Sequence, residues 1–233
     1  MTRKNYNISH SLDRVTSMQA EHILKLFPPN HNKHVLETGS GIGRLSHALY
    51  SRGYNVTGLE KSEEYTVFAR ENRPGPNYIH GDTSSLTDEV FDLIISVYNS
   101  FGCFSASTRP EVIIREMTSL LRPGGSLLLQ VGSMTWARKH FSSKEPRIKN
   151  SAGDIHTTRI ADWKTGKLIT HFNCNGFEYS SSLQLFEQDE IEQQLMKTGF
   201  QEIDILNNLK GEKEGEKDHF FVVARNLYQK QAA

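Results

Sequence analysis

Short apolar runs alternate with amphipathic stretches over the first 131 residues of the chain. The run FDLIISV at 91–97 is almost continuously apolar, as a strand covered on both faces of a sheet is. Residues 44–50 instead have the spacing of an amphipathic helix. The pattern predicts strands at 34–36, 54–59, 77–80, 91–97 and 126–131, and helices at 12–26, 44–50, 62–72 and 109–121. This alternation predicts an α/β fold, with a parallel sheet wrapped by helices.

The pattern changes after this last strand. Residues 133–185 are rich in serine, histidine and aromatic residues, and they hold two or three short segments typical of strands. The segment 162–172 predicts a hairpin with its turn at 164–167. The rest of the chain predicts a helix and two strands, at 188–198, 203–206 and 220–224. We therefore expect one domain over 1–233, with a small β-rich substrate insertion at 133–185.

The composition is that of an ordinary globular protein, because 36% of the 233 residues are hydrophobic and 23% are charged. The 27 Lys and Arg residues balance the 27 Asp and Glu residues, so the formal net charge is zero. Phosphate groups attract a clear excess of positive charge, so neutrality argues against nucleic acid as the main partner and against a polybasic membrane-surface protein. No apolar run approaches the roughly 20 residues that span a bilayer.

The two cysteines, Cys103 and Cys174, lie far apart and in no metal-binding spacing. This excludes a disulfide framework and a cysteine-ligated zinc site. The N-terminal segment has basic residues but lacks the apolar stretch of a secretory signal. We therefore expect a cytoplasmic protein, as a monomer or a homodimer.

Three glycines, Gly39, Gly41 and Gly43, lie between the first predicted strand and the next helix. Such glycines let the backbone turn sharply and let a ligand lie against it, which predicts a ligand-binding loop. The alternative is a tight turn that binds no ligand. Arg44 stands where a dinucleotide-binding loop has its third glycine, and no P-loop lysine follows, so neither loop is predicted. Glu60, about 20 residues beyond Gly39, can accept hydrogen bonds from ribose hydroxyls. A helix-capping acid is the alternative for Glu60.

Five segments in order resemble the successive motifs of class I S-adenosylmethionine-dependent methyltransferases. They are ETGSGIGR, GLEKSEEYTVFAREN, HGDTSSL, FDLIISVYNSFGCF and LLRPGGSLLLQVG, within 33–131, and the closing helix and last strand pair extend the resemblance to about residue 225. The resemblance implies a Rossmann-like, seven-stranded mixed sheet in the order 3-2-1-4-5-7-6, with helices on both faces and strand 7 antiparallel. It also implies S-adenosylmethionine as the cofactor.

Carried over residue by residue, the resemblance implies roles for particular side chains. Glu37 helps to hold the methionine amino group, and Glu60 binds the ribose diol. Asp82 accepts a hydrogen bond from the adenine amino group, with a turn cap as the alternative. The other implied cofactor-binding residues are Gly39, Ser40, Gly41, Gly43, Lys61, Thr83 and Val97.

The segment after the fourth predicted strand carries the candidate catalytic residues Tyr98 and Asn99, which the resemblance implies beside the transferable methyl group. Ordinary pocket wall is the alternative for Tyr98. This segment, YNSFG, lacks the [DN]PP[YF] pattern of many methyltransferases that act on nucleic-acid bases or protein glutamine. It looks more like members that act on small molecules, which predicts a small-molecule acceptor with an N or O nucleophile and no DNA substrate.

An acceptor that must lose a proton can use a general base, and the variable region offers the histidines His140, His156 and His171. His140 and His171 are taken as candidate catalytic residues, with a surface or packing role as the alternative. No histidine or acid spacing is typical of a metal site, so no metal is predicted.

The stretch 138–149 carries five Lys or Arg residues against one acid, which predicts an acceptor with a carboxylate or phosphate group. A solvated loop is the alternative. The side chains proposed to hold that group are Arg138, Lys139, Arg147 and Lys149. Residues 1–30 are expected to form a helical lid. Two other functions stay open: methylation of RNA or protein, and binding of S-adenosylmethionine without methyl transfer.

Overall fold

A computed structural model describes residues 10–29, 33–86, 89–98, 100–103, 109–143, 148–150, 153–174, 177–213, 215 and 217–226. The strands are β1 (His34–Thr38), β2 (Asn55–Glu60), β3 (Asn77–His80), β4 (Phe91–Ser96), β5 (Leu121–Ser133), β6 (Ile148–Asn150), β7 (Gly153–Asp162), β8 (Lys167–Cys174), β9 (Phe177–Phe186), β10 (Glu202–Leu206) and β11 (His219–Arg225). The helices are α1 (His10–Leu26), α2 (Arg44–Tyr50), α3 (Glu63–Asn72), α4 (Pro110–Ser119), α5 (Met134–His140) and α6 (Gln188–Lys197). Within these ranges, no helix combines the length and the apolar character needed to cross a membrane.

Seven of these strands form the central sheet, in the order β3-β2-β1-β4-β5-β11-β10. β1 to β5 pair in parallel, and β11 is antiparallel to both of its neighbours. With β10 and β11 as its sixth and seventh strands, the sheet has the predicted order 3-2-1-4-5-7-6, and the predicted Rossmann-like fold is confirmed. The strand order reverses between β1 and β4, which opens a crevice at the carboxyl ends of these strands.

Helices cover both faces of the central sheet. On one face, side chains of α4 and α6 share an apolar cluster with Ile94 of β4. On the other face, side chains of α1 and α2 share a second cluster with Leu93 and Ile95. Successive residues of β4 therefore point to opposite faces and are buried on both. This is why the run 91–97 shows no alternation with polar residues.

Residues after β5 form an antiparallel sheet in the order β9-β8-β7-β6, which we call the insertion sheet. Its strand β9 also joins the central sheet, because Leu185 and Phe186 pair in parallel with Gly132 and Ser133 of β5. β11 pairs with one edge of β5 and β4 pairs with the other. β4 ends before β5 does, so β9 pairs with β5 along the part of this edge beyond the end of β4. The insertion sheet is thereby fixed beside the carboxyl end of β4.

The insertion differs in detail from its prediction. Instead of short strand segments, β7, β8 and β9 have 10, 8 and 10 residues, and the turn that joins β7 to β8 lies at 163–166, one residue before the predicted 164–167. Helix α5 was not predicted. It begins after Ser133, whose hydroxyl accepts a hydrogen bond from the Trp136 N–H at 3.2 Å, and its seven residues are too few for a clear helical period. The bounds 1–30 for a lid and 133–185 for a substrate insertion stay predictions.

The segment 121–125 also differs from its prediction. Helix α4 ends at Ser119, and Leu121 already pairs with Phe91 of β4, so the predicted turn RPGG lies inside β5. The register between β4 and β5 shifts after this pair, and Gly124 has a φ of 79°. The glycines there allow an irregularity of the strand rather than a reversal of the chain.

Candidate functional site

A cavity of about 600 Å³, which we call the strand-end cavity, lies at the carboxyl ends of β1 to β4. Its volume is in the usual range of small-molecule sites, about 300–1,000 Å³. It lies where the strand order reverses, which is where α/β sheets of this kind bind ligands. Six residues of the predicted site line it: Gly39, Glu60, Lys61, Asp82, Thr83 and Tyr98. The structure thus brings together residues that follow four different strands.

The glycine loop after β1 is left-handed at Gly39, Gly41 and Gly43, with φ of 68°, 55° and 77°. Of these three, Gly39 lines the cavity, and a Cβ atom there would lie 2.7 Å from the Cβ of Ser100. A Cβ atom on Gly43 would collide with the ring of Tyr78 instead. Gly43 therefore packs closely against Tyr78 of β3, and its implied position under the cofactor stays a prediction.

Glu60 ends β2 and connects the glycine loop to the start of α3. Its Oε2 accepts a hydrogen bond from the Gly41 N–H at 2.8 Å, and its Oε1 accepts one from the Ser62 N–H at 2.9 Å. Each carboxylate oxygen has a second lone pair, which is available to a further donor such as a ribose hydroxyl. The N-cap of α3 is Ser62 and not Glu60, so the capping alternative does not hold. Lys61, which is exposed, also lines the cavity.

The loop after β3 contributes Asp82 and Thr83. Asp82 caps a short 3-10 helix, and the hydrogen bonds that its carboxylate accepts from Ser84 hold the pKa of Asp82 below its usual range. The Thr83 hydroxyl donates to Glu116 of α4 at 2.5 Å, and Glu116 lines the cavity too. Asp82 thus both caps a turn and lines the cavity. Glu116 was missed because a single acid on an amphipathic helix carries no spacing signal.

Glu37, near the end of β1, is 3% exposed and does not line the cavity. The Ser46 hydroxyl of α2 donates a short hydrogen bond to its Oε2. Burial raises the pKa of Glu37 to about 7, although this hydrogen bond and the nearby Arg44 guanidinium act in the opposite direction. The carboxyl group therefore changes its charge near neutral pH, which is typical of functional sites.

Three buried hydroxyl groups close to the glycine loop, those of Thr38, Ser40 and Ser96, have no hydrogen-bond partner among the described residues. Thr38 and Ser96 line the cavity. A buried polar group without a partner is costly, so these hydroxyls fit a polar ligand. Val97, which was predicted here, lies in the apolar cluster packed on α1 and α2 instead. Alternation along β4 explains the difference, because it turns Ser96 toward the cavity and Val97 away.

Tyr98 follows β4 and lines the cavity. Its hydroxyl donates to Gln19 of α1 and lies 3.4 Å from the Thr16 hydroxyl, while the Arg44 guanidinium carbon is 5.0 Å from the ring centroid. Although Tyr98 is 38% exposed, partial desolvation raises the pKa of its phenol, so the group is protonated at neutral pH. Asn99, the other candidate catalytic residue beside it, lies outside the described residues.

Comparison with known proteins agrees with this architecture. Residues 36–129 match the family described as methyltransferase domain. This part of the chain is therefore similar to methyltransferase domains. The resemblance drawn from the sequence motifs is thereby confirmed. Among curated relatives, the malonyl-[acyl-carrier protein] O-methyltransferase of Pectobacterium atrosepticum is 30% identical over 118 residues, which are 48% of this chain and 45% of that protein. The match thus spans less than half of that relative's length.

Solved structures of methyltransferases share the fold of this chain. The CcbJ methyltransferase from Streptomyces caelestis has a TM-score of 0.78 and 17% identity, with 91% of this chain and 90% of that chain covered. The glycopeptide N-methyltransferase MtfA in complex with S-adenosylmethionine has a TM-score of 0.61 and 21% identity, with 90% and 92% covered. At these identities the likeness concerns the fold.

The candidate bases of the insertion lie apart from the strand-end cavity. His140 is exposed at the end of α5, where its ring stacks on Trp136 with centroids 4.4 Å apart. His171 is exposed on β8 and hydrogen-bonds to Ser180 across the hairpin at 2.7 Å. Neither residue lines the cavity. Their partners, one helical turn back and on the neighbouring strand, hold both rings at the surface.

The basic stretch that begins on α5 is not part of the cavity lining either. Arg138 pairs with Glu187 at 3.4 Å and also donates to a backbone carbonyl. Arg147 and the side chain of Lys149 lie outside the described residues. Among the side chains that the structure does describe, no group of three or more His, Cys, Asp or Glu residues is arranged to hold a metal ion.

Proposed function

We propose that the chain is an S-adenosylmethionine-dependent methyltransferase that acts on a small molecule with an N or O nucleophile. The strand-end cavity carries the proposal, because it combines carboxylates, unpartnered buried hydroxyls and an apolar wall. This combination fits a ligand that joins a flat base, a ribose and a charged amino acid. The match to methyltransferase domains supports it, as does the S-adenosylmethionine complex of the similarly folded MtfA.

The cavity offers separate partners to the three parts of such a ligand. An apolar wall suits the faces of an adenine ring, with Asp82 available to its amino group. The spare lone pairs of Glu60 suit the ribose hydroxyls. The hydroxyls of Thr38 and Ser96 suit the amino-acid end, where Gly39 lets the ligand lie against the backbone. The apolar wall consists of Leu59, Phe101, Ile113 and Met117.

When bound, S-adenosylmethionine supplies a methyl group that is already activated by the positive charge on sulfur. The chain then mainly has to align the reacting atoms, and alignment can remove about 7–11 kcal/mol from a barrier. Tyr98 and Ser100 form the wall on the β4 side, where the acceptor is proposed to enter. Because burial raises the pKa of the Tyr98 phenol, this group can donate or accept a hydrogen bond but does not serve as a phenolate base at neutral pH.

The acceptor is proposed to contact the insertion, because β9 packs on the segment after β4. A Cβ atom on Gly102 would lie 2.5 Å from Leu183 Cδ1 of β9. Residues 1–30 and 133–185 are proposed as its lid and its recognition region. The O-methyltransferase of Pectobacterium and the N-methyltransferase MtfA support an O or N nucleophile. An acidic acceptor stays a prediction. Arg138 already pairs with Glu187, so its charge is partly neutralised and it is a weaker candidate for holding an acidic group of the acceptor.

Calorimetry of the purified chain with S-adenosylmethionine and S-adenosylhomocysteine tests the cofactor. We expect both to bind, and a panel of small amines, phenols and alcohols to reveal the acceptor through release of S-adenosylhomocysteine. A folded chain that binds neither compound would contradict the proposal. Binding without turnover on small molecules would favour the alternatives, which methylation of total RNA or protein in an extract would then separate from a non-catalytic module.

A further inference from the structure

Tyr98 has an unusual backbone. Its φ is 55°, and within the described residues it is the one non-glycine residue with a positive φ. A residue with a bulky side chain rarely adopts the left-handed backbone conformation, which costs about 1–3 kcal/mol. Such a conformation persists where surrounding contacts enforce it. The residue also lines the strand-end cavity. The contacts that enforce its conformation therefore bear on the shape of the site.

Gln130 supplies one of these contacts from β5. Its Oε1 accepts a hydrogen bond from the Tyr98 N–H at 2.9 Å, and the side chain is 7% exposed. Its neighbours Leu129 and Val131 are buried and apolar. A buried amide at such a position lowers stability unless it is hydrogen-bonded. The hydrogen bond from the Tyr98 N–H is therefore the contact that offsets the burial of Gln130.

The far end of the Tyr98 side chain is held by α1 and by the first residue of α2. The hydroxyl donates to Gln19, and the Arg44 guanidinium lies over the ring and donates to the Thr16 hydroxyl at 3.0 Å. A cation over an aromatic face is attractive. With its N–H fixed by Gln130 and its hydroxyl by α1, the ring has one orientation, as a wall of the cavity.

The wall that Tyr98 forms belongs to the polar end of the cavity. The unpartnered hydroxyls of Thr38 and Ser96 lie at the ends of β1 and β4, the strands next to Tyr98. The apolar side chains of Leu59 and Met117 line the same cavity from β2 and α4. A charged amino-acid group matches the polar end of the cavity, and a purine matches the apolar end.

We infer that Gln130 is a positioning residue, which holds Tyr98 in its left-handed conformation as the wall of the amino-acid end of the cavity. The inference rests on the proposed function. It predicts that loss of the Gln130 hydrogen bond impairs recognition of the amino-acid part of the ligand and spares recognition of the nucleoside part.

The test compares S-adenosylhomocysteine with 5′-methylthioadenosine, which lacks the amino-acid group, by calorimetry. Gln130→Met keeps the volume but removes the acceptor, and it should weaken S-adenosylhomocysteine by about three- to tenfold, the range for one hydrogen bond. Its affinity for methylthioadenosine should stay within about twofold of the wild type. Gln130→Asn, whose shorter side chain cannot reach the Tyr98 N–H, should show the same affinity changes as Gln130→Met. It replaces the Met variant in the test if that variant fails to fold. Glu116→Gln, at the nucleoside end, is the matched control and should weaken both compounds.

A double variant distinguishes positioning from general destabilisation. Glycine adopts a positive φ without strain, so in a Tyr98→Gly background the Gln130→Met change should no longer alter affinity for S-adenosylhomocysteine. Equal losses for both compounds, or unchanged affinity for S-adenosylhomocysteine, in folded Gln130 variants would overturn the inference. A wild-type chain that binds neither compound would overturn the proposed function instead.

Discussion

The strand-end cavity and the insertion sheet are joined through β5 and β9, yet they are built in different ways. The cavity is built on backbone turns and on hydrogen bonds from backbone N–H groups to side chains, as in the left-handed turn at Gly39 and the bond from the Gly41 N–H to the Glu60 carboxylate. In the insertion, the candidate residues His140 and His171 are surface side chains satisfied by local partners. Backbone turns require particular residue types at fixed spacings, so a site built on them can be recognised in the sequence. Surface side chains on a variable sheet have no fixed spacing, so a site built from them cannot.

The largest effect is expected at Gly39. Gly39→Val should weaken S-adenosylhomocysteine by about 100-fold or more, because the side chain would meet Ser100 and strain a left-handed residue. Calorimetry together with thermal unfolding measures both consequences. Gly124→Val is the matched control, since Gly124 has a φ of 79° but open space around a Cβ atom. Equal affinity losses in the two variants would show that strain alone, and not contact with the ligand, accounts for the result.

A smaller loss is expected at Glu60. Glu60→Ala should cost about 1.5–3 kcal/mol of binding free energy for S-adenosylmethionine, the range for hydrogen bonds to a charged group. The same change also frees the Gly41 N–H, so the glycine loop loses a support. Glu63→Ala, at an exposed acid in the first turn of α3, is the control and should bind normally. Unchanged affinity of a folded Glu60→Ala chain would remove Glu60 from the site.

The charge of Glu37 predicts a pH dependence. Its pKa in the folded chain, about 7, lies above the ordinary value of 4.5, so the folded state binds this proton more tightly than the unfolded state does. The contribution of Glu37 to the free energy of unfolding therefore falls as pH rises from about 4.5 to about 7. Glu37 does not line the cavity, so we expect it to act on the ammonium group of a ligand through its charge. Such a ligand favours the ionised carboxylate, and affinity for S-adenosylhomocysteine should rise by up to about tenfold from pH 6 to pH 8.

Calorimetry in buffers of different ionisation enthalpy should detect one proton released on binding at pH 6. Glu37→Gln, which cannot ionise, should lose this proton release and flatten both pH profiles. A Glu37→Gln chain with the wild-type pH profile would place the titrating group elsewhere.

The smallest effect is expected in the insertion sheet. His171→Ala should leave stability within about 0.5 kcal/mol, as for other exposed residues, and should leave affinity for S-adenosylmethionine unchanged. A clear loss of that affinity would show that the two regions are not separate. Once an acceptor is known, a fall in turnover by about 10²- to 10⁴-fold at normal cofactor affinity would identify His171 as a general base after all.

Sequence patterns predicted the central sheet well because most of its strands contain a short apolar run bounded by turn residues. They failed where the pattern is weak. Helix α5 has seven residues, and the insertion strands have polar residues at half or more of their positions, so their length could not be predicted.

The same contrast holds within the site. Gly39 and Glu60 were predicted because a turn and a strand end require particular residue types there, and Asp82 was predicted from the family resemblance. Ser96 and Gln130 were missed because a single polar residue inside an apolar strand has no spacing to mark it. Their importance depends on which side chains the folded sheet brings next to them, as the Tyr98 N–H is brought to Gln130.

The short pairing between β9 and β5 has a consequence for solubility. β5 runs beyond the end of β4, and without β9 its last residues would present unpaired backbone groups, a template for association with another chain. Leu185 and Phe186 cover this edge. A shortened chain that removes the insertion but retains this last part of β9 should therefore stay monodisperse, whereas one that also removes Leu185 and Phe186 should aggregate.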